Sequence, residues 1–257
     1  MLFRSKNNFI DVPQIVQIQG APLEGRPAPF TKNAKHFVHH LFNTIPPSRM
    51  ARLRRLRTTL SAPLQQEIQD ILDHRLRDLK RRGVQNGAVL AVDHQKNEIL
   101  AWVNGGSADE VQDSWIDAVV TPRQPGSTLK PFLYALALEK GWTAATLVED
   151  LPLAAPVGQG LHTYHNYSRT HYGPLPLRYA LGNSLNTPAV RTIQYIGVHN
   201  FLRCLENLGI HSLHRHPDYY GEGLALGNGE ITLLELVRAY TVLADRKSTR
   251  LNSSHRL

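Results

Sequence analysis

The stretch Arg123-Gln124-Pro125-Gly126-Ser127-Thr128-Leu129-Lys130-Pro131-Phe132 decides how the chain is read. Pro125-Gly126 is a turn signal. Pro131 has no N–H and is tolerated only near a helix start. A helix therefore begins close to Ser127, runs through Leu129, Phe132, Leu133, Leu136 and Ala137, and ends at Gly141. Ser127 and Lys130 stand at i and i+3, on one helix face. That spacing puts the Lys130 amine beside the Ser127 hydroxyl, at the positive end of a helix dipole where a protonated amine is disfavoured. Lys130 should lose its proton more easily than a free lysine. A neutral amine there can take the serine's proton and activate a weak nucleophile. The pattern implies acyl transfer through a serine ester.

Upstream of this stretch, Ser61 is an N-cap candidate with Pro63 in the first turn. Leu64, Ile68, Ile71, Leu72, Leu76 and Leu79 then follow at amphipathic helix spacing, and Gly83 closes the helix. Residues 53–60 read as a short strand. Ala88 to Val92 and Ile99 to Val103, joined by Asp93 to Glu98, read as a hairpin. Both runs are apolar on both faces, which predicts a sheet covered on each side. Trp102 reads as packing.

Downstream, the rest reads as helical: 175–183, 187–196 and 198–208, then a last helix opened by the capping box Thr232-Leu233-Leu234-Glu235. Ser184-Leu185-Asn186 falls on the loop between two of these helices. A loop serine near Ser127 can relay a proton, and a loop amide can orient a substrate carbonyl. Each short motif is weak by itself. About one Ser-x-x-Lys is expected by chance in a chain of this length, and Ser5-Lys6-Asn7 repeats the Ser-x-Asn pattern.

The net charge is +8, and half of it comes from four basic residues in 246–257. That segment has no acid and no hydrophobic period, and it reads as a non-native, adapter-derived tail. A nucleic-acid partner is therefore not expected. The arginine clusters at 49–57 and 75–82 are not interleaved with aromatics and read as solvated faces. No apolar run approaches the ~20 residues of a membrane span, and no leader pattern opens the chain. Cys204 is the only cysteine, so an intrachain disulfide is excluded. It lies among Phe201, Leu202, Leu205 and Leu208 and reads as a buried small hydrophobe. His36, His39 and His40, like His211, His214 and His216, lack a nearby cysteine or a convincing carboxylate partner, so no metal and no cofactor are expected.

Taken together, the stretch 123–138, Arg57-Thr58-Thr59-Leu60, Leu100-Ala101-Trp102-Val103, Asn166-Tyr167, Gly173-Pro174, 180–190 and 224–244 closely resemble the transpeptidase domain of class A, bifunctional penicillin-binding proteins of the 1C type. The resemblance implies an α/β (α+β) fold of the β-lactamase/transpeptidase type, an antiparallel sheet with a helical subdomain. It implies Ser127 as nucleophile on a D-Ala-D-Ala stem peptide, Lys130 as general base and Ser184 as proton relay. Asn186 and Gly126 would bind substrate. Partners would be peptidoglycan stem peptides on lipid II-derived glycan strands, and β-lactams would acylate the same serine. The parent would sit on the periplasmic face of the inner membrane, anchored by a segment upstream of Met1.

The family's Lys-Thr-Gly triplet does not occur here; Lys247-Ser248-Thr249 lacks the glycine. On this reading 1–45 is a linker from a preceding glycosyltransferase domain, 46–245 a partial transpeptidase domain without its C-terminal strands, and 246–257 the tail. A chain so divided is expected to be an inactive fragment, with little or no acylation on its own. The competing readings are a β-lactamase-like serine hydrolase and a non-catalytic cell-wall assembly module.

Overall fold

In a computed structural model, residues 34–50, 55–105, 116–157 and 160–245 are described. The proline-bearing residues 1–33 and the tail 246–257 lie outside them. The described chain divides into two units, one spanning Pro122–Ile231 and one built from the residues on either side of it.

The flanking unit is organised on the hairpin. Strands β1 (Gly87–Asp93) and β2 (Glu98–Gly105) pair antiparallel, with Leu90 opposite Trp102 and a register shift at Ala91/Val92. Side chains alternate across a strand, so the two faces meet different partners. One carries Leu90, Val92, Ile99 and Trp102, which pack with helix α1 (Lys35–Thr44) through Phe37 and Leu41 and with Val119 and Leu234. The Trp102 indole is 1% exposed, stacks on His40 and donates to the Asp117 carboxyl at 3.1 Å. A short helix α2 (Pro47–Met50) follows α1. The other face meets helix α3 (Ala62–Leu79). The cross-strand pair Gly87 and Gly105 leaves room there for Leu72 and Leu76; a Cβ on Gly105 would overlap Leu76. The expected two-sided cover is present.

Helix α3 also does what its apolar pattern did not predict. Its most buried residues are Gln65 and Gln69. Gln65 accepts from Trp102 N–H and donates to Trp102 C=O, both at 2.8 Å, while Gln69 reaches Asn104 C=O at 3.2 Å. Thr59 Oγ1 and Ser61 N–H take the carbonyls of Ile99 and Leu100. These groups occupy the β2 edge in place of a strand. Residues 55–60 accordingly form no strand beyond a single bridge at Arg57, contrary to the sequence reading. The helix ends in a tight turn over Lys80–Arg82, with Gly83 left-handed at φ 79°.

The stretch 35–44, read as linker, is helical because Phe37 and Leu41, four apart, find a buried partner in Trp102. Such tertiary burial stabilises a helix whose propensity alone is modest.

In the Pro122–Ile231 unit, Arg123 and Ile231 exchange backbone hydrogen bonds at 2.8 and 2.9 Å, so the chain enters and leaves at one place. Helix α4 (Lys130–Glu139) buries Phe132, Leu133, Tyr134 and Ala137. Four short strands follow where only helix was read: β3 (Leu147–Asp150), β4 (Leu153–Val157), β5 (Gly160–Tyr164) and β6 (Gly173–Pro176). They form two separate antiparallel pairs, β3 with β6 and β4 with β5. Prolines at 156 in β4 and at 174 and 176 in β6 hide those two from pattern reading, and prolines are tolerated in such short edge strands.

Helices α5 (Leu177–Gly182), α6 (Asn186–Ile196) and α7 (Val198–Asn207) stand close to the expected ranges. A single turn, α8 (Pro217–Tyr220), precedes the segment Gly221–Leu226. The last helix α9 (Leu233–Ala244), in the flanking unit, opens on the expected capping box between Thr232 and Glu235.

Candidate active site

Three of the five candidate residues, Lys130, Ser184 and Asn186, are joined by hydrogen bonds, and Gly126 and Ser127 stand on the turn just before α4. Pro125 (φ −75°) sets the turn, Gly126 takes φ +59°, and residues Gly126–Leu129 wind as a 3-10 turn before the α-helix begins at Lys130. Thr128 Oγ1 ties the turn to Pro125 C=O at 2.8 Å. Gly227 presses on the backbone of Gly126; a Cβ there would overlap Gly126 N and O. Ser127 is exposed on this turn, and its hydroxyl makes no hydrogen bond among the described residues.

Lys130 is the opposite case. Its side chain is 1% exposed, yet it carries an amine. Nζ donates to Ser184 C=O at 2.6 Å, to Asn186 Oδ1 at 2.8 Å and to Ser184 Oγ at 3.2 Å. Three acceptors match the three N–H groups of an ammonium. Burial acts the other way and lowers the Lys130 pKa from 10.5 to about 8. The sequence expectation of an easily deprotonated lysine thus has a cause, although desolvation supplies it. The expected contact with Ser127 is not a hydrogen bond here: the amine is turned to the Ser184–Asn186 loop.

That loop is held in an unusual backbone state. Ser184, after α5, has φ 51°, a left-handed value that L residues with a Cβ rarely adopt. It presents both its carbonyl and its hydroxyl to one amine. Asn186 opens α6 and is braced twice, its N–H donating to Asn166 Oδ1 at 2.8 Å and its Nδ2 to His165 C=O at 2.8 Å. Asn166 is 3% exposed and rests on the fully buried Asp150. The sequence offered Asn166, besides its place in the Asn166-Tyr167 pair, as a brace for the site or for a loop; its link to Asp150, 16 residues earlier, had no signal. Gly126 has no atom within 4 Å of where a Cβ would stand.

Cys204 is buried and its thiol is pushed up to about 12 by desolvation, which leaves it inert at neutral pH. Among the described residues no group of three His, Cys, Asp or Glu could hold a metal ion, and no helix is long and apolar enough to cross a membrane.

The fold is one found in solved penicillin-binding proteins. Penicillin-Binding Protein 1A from Haemophilus influenzae is 35% identical, with a TM-score of 0.54 over 61% of this chain and 23% of that one. PonA1 from Mycobacterium tuberculosis, solved in complex with penicillin V, superposes at a TM-score of 0.63 over 83% of this chain and 57% of that one, at 21% identity. The family described as "Penicillin binding protein transpeptidase domain" matches residues 87–252, and the chain belongs to that family. Among curated relatives, penicillin-binding protein 1C of Escherichia coli K12 is 33% identical over 200 residues, which is 74% of this chain and 24% of that protein. Penicillin-binding protein 1A of Neisseria meningitidis is 36% identical over 62% of this chain and 20% of its own length. The chain therefore spans about a quarter or less of the curated relatives it matches.

Proposed function

We propose that the chain carries serine acyl transfer of the D,D-transpeptidase kind, cross-linking peptidoglycan stem peptides on the periplasmic face of a bacterial inner membrane. The observation that supports it most is the buried Lys130 amine, three residues beyond the exposed Ser127 and held by Ser184 and Asn186. In the first step neutral Lys130 takes the Ser127 proton, and Oγ attacks the D-Ala-D-Ala carbonyl. The Ser127 N–H contributes to an oxyanion site at the helix start. The C–N bond breaks, and the proton passes through Ser184 to the departing D-alanine amine. In the second step an acceptor amine attacks the ester, forms the cross-link and returns a proton to Ser127. Asn186 and Gly126 line the acyl chain. Atoms and charges balance without a cofactor.

A β-lactam offers the same carbonyl and no departing fragment, so it should remain on Ser127. The test is labelling of the protein, in the form its cell makes, with a fluorescent penicillin. A stable label lost in Ser127→Ala supports the reading. No label overturns acyl transfer, and fast release of the label favours a hydrolase. The labelling rate should rise with pH through about 8, because the base must be neutral and burial has brought its pKa there. At pH 7 only about one amine in ten is neutral. A rate independent of pH between 6 and 9 would remove Lys130 as the base.

A further inference from the structure

Asn166 and Asp150 form a buried polar pair that none of the roles above uses. Asp150, at the end of β3, is 0% exposed. Both of its oxygens accept from Asn166 Nδ2 at 2.8 Å, and Oδ2 also accepts from Tyr172 N–H at 2.9 Å. His171 Nδ1 approaches Oδ1 at 3.5 Å without hydrogen-bond geometry. Asn166 Nδ2 additionally donates to Thr170 C=O at 2.9 Å. A carboxylate and a carbonyl both demand a donor, which fixes the orientation of the Asn166 amide. Its Oδ1 must then point the other way. It accepts from Asn186 N–H at 2.8 Å and, at 3.4 Å, from Thr187 N–H.

Asn186 and Thr187 are the first residues of α6. The first N–H groups of a helix have no partner within it. Leu185, at the N-cap, has no side chain able to supply one. Asn166 does so from 20 residues away. Asn186 is also the residue whose Oδ1 holds Lys130 Nζ. One continuous path of short hydrogen bonds therefore runs from Asp150 through Asn166 and Asn186 to the amine.

We propose that Asn166, anchored on Asp150, is a positioning residue that fixes the start of α6 and thereby aims Asn186 at the Lys130 amine. The proposal rests on the acyl-transfer reading for its consequence in catalysis, but its structural part stands separately. Removing Asn166 leaves the Asp150 carboxyl without its principal donor and Asn186 N–H without an acceptor. The Asn186 carbonyl then swings from Nζ. A displacement of about 1 Å in such a group can cost up to about a hundredfold in rate. Exchanging the two residues keeps one amide–carboxyl pair in the reverse sense and still leaves an acceptor for Asn186 N–H.

The test combines amide hydrogen exchange with penicillin acylation in wild type, N166A, N166D and the D150N/N166D double variant. In wild type, Asn186 N–H should be protected to the same degree as Ile193 N–H in the same helix. In N166A it should exchange at least about tenfold faster relative to Ile193, because a buried acceptor has been removed. Acylation per folded molecule should fall about ten- to a hundredfold in N166A and N166D, and the double variant should recover most of the N166D loss. An unprotected Asn186 N–H in wild type overturns the proposal even if no variant folds. So does a double variant that acylates no faster than N166D, or N166A acylating at the wild-type rate. If wild type takes no penicillin at all, the acyl-transfer reading fails while the exchange ratio still decides the positioning.

Discussion

Ser184 shows how a single residue is held in strain beside the Lys130 amine. A left-handed φ of 51° costs a residue with a Cβ about 1 kcal/mol. The strain persists because Lys130 holds the Ser184 carbonyl at 2.6 Å and the Leu181 carbonyl holds its N–H at 3.0 Å. Glycine relieves the strain but loosens the unfolded chain, so Ser184→Gly should leave stability unchanged or raise it by up to about 1 kcal/mol. The same change removes the hydroxyl that lies 3.2 Å from the amine. Loss of a proton relay costs about a hundredfold or more, so penicillin acylation should fall by that order while the urea midpoint holds. A variant that loses stability and keeps its acylation rate would assign Ser184 to structure alone. At this scale the sequence was legible where chemistry is local. The Ser127–Lys130 spacing and the turn before it were readable from ten residues. Ser184 and Asn186, 54 and 56 residues away, were named as site companions, but the spacing alone did not show that the amine would turn to them instead of to Ser127.

At the scale of elements, the turn that carries Ser127 is shaped by a contact no local pattern contains. Gly227, at φ 75°, closes the segment Gly221–Leu226 and lies against the backbone of Gly126. A side chain there meets N, C and O of Gly126, atoms that cannot rotate away. Gly227→Ala combines left-handed strain with backbone overlap, and should cost about 2 kcal/mol or more. Any relief moves Gly126 and the serine after it. Acylation should therefore fall further than the thermal midpoint predicts, which a comparison of labelling rate per folded molecule would show. An equal loss in both would mean that the contact only stabilises. Helix starts were readable in advance: the Thr232–Glu235 capping box announces α9, and Ser61 with Pro63 marks the start of α3, although the Ser61 side chain makes no capping hydrogen bond. Strands β3 to β6 were not. They are four or five residues long, β4 and β6 carry prolines, and they pair with each other rather than with the hairpin. Helix α1 was missed because its stability lies in burial against Trp102 rather than in its own sequence.

For the molecule as a whole, the two edges of the hairpin are treated differently. Trp102 turns both its N–H and its C=O away from β1, toward Gln65. In an antiparallel pair, its partner Leu90 must then turn its own backbone groups outward on the far side, and so must Ala88, opposite Asn104. The β2 edge is covered by Thr59, Ser61, Gln65 and Gln69. The β1 edge pairs with no strand among the described residues. Unpaired backbone groups on an apolar strand form a template for another strand. The 257-residue chain should therefore self-associate as its concentration rises, seen as a growing sedimentation coefficient. Ala88→Pro tests the cause. It deletes one outward N–H at the first turn of the strand, where proline is tolerated, and leaves the ladder to β2 intact. The variant should sediment as the smaller species at concentrations where wild type has associated. Replacing Gln65 by alanine should act in the opposite direction. It strips the β2 edge and leaves two buried backbone groups without partners, at a cost of about 1–3 kcal/mol each, and association should begin at lower concentration. A chain that stays monomeric in all three forms would show that the β1 edge is shielded by something other than a strand.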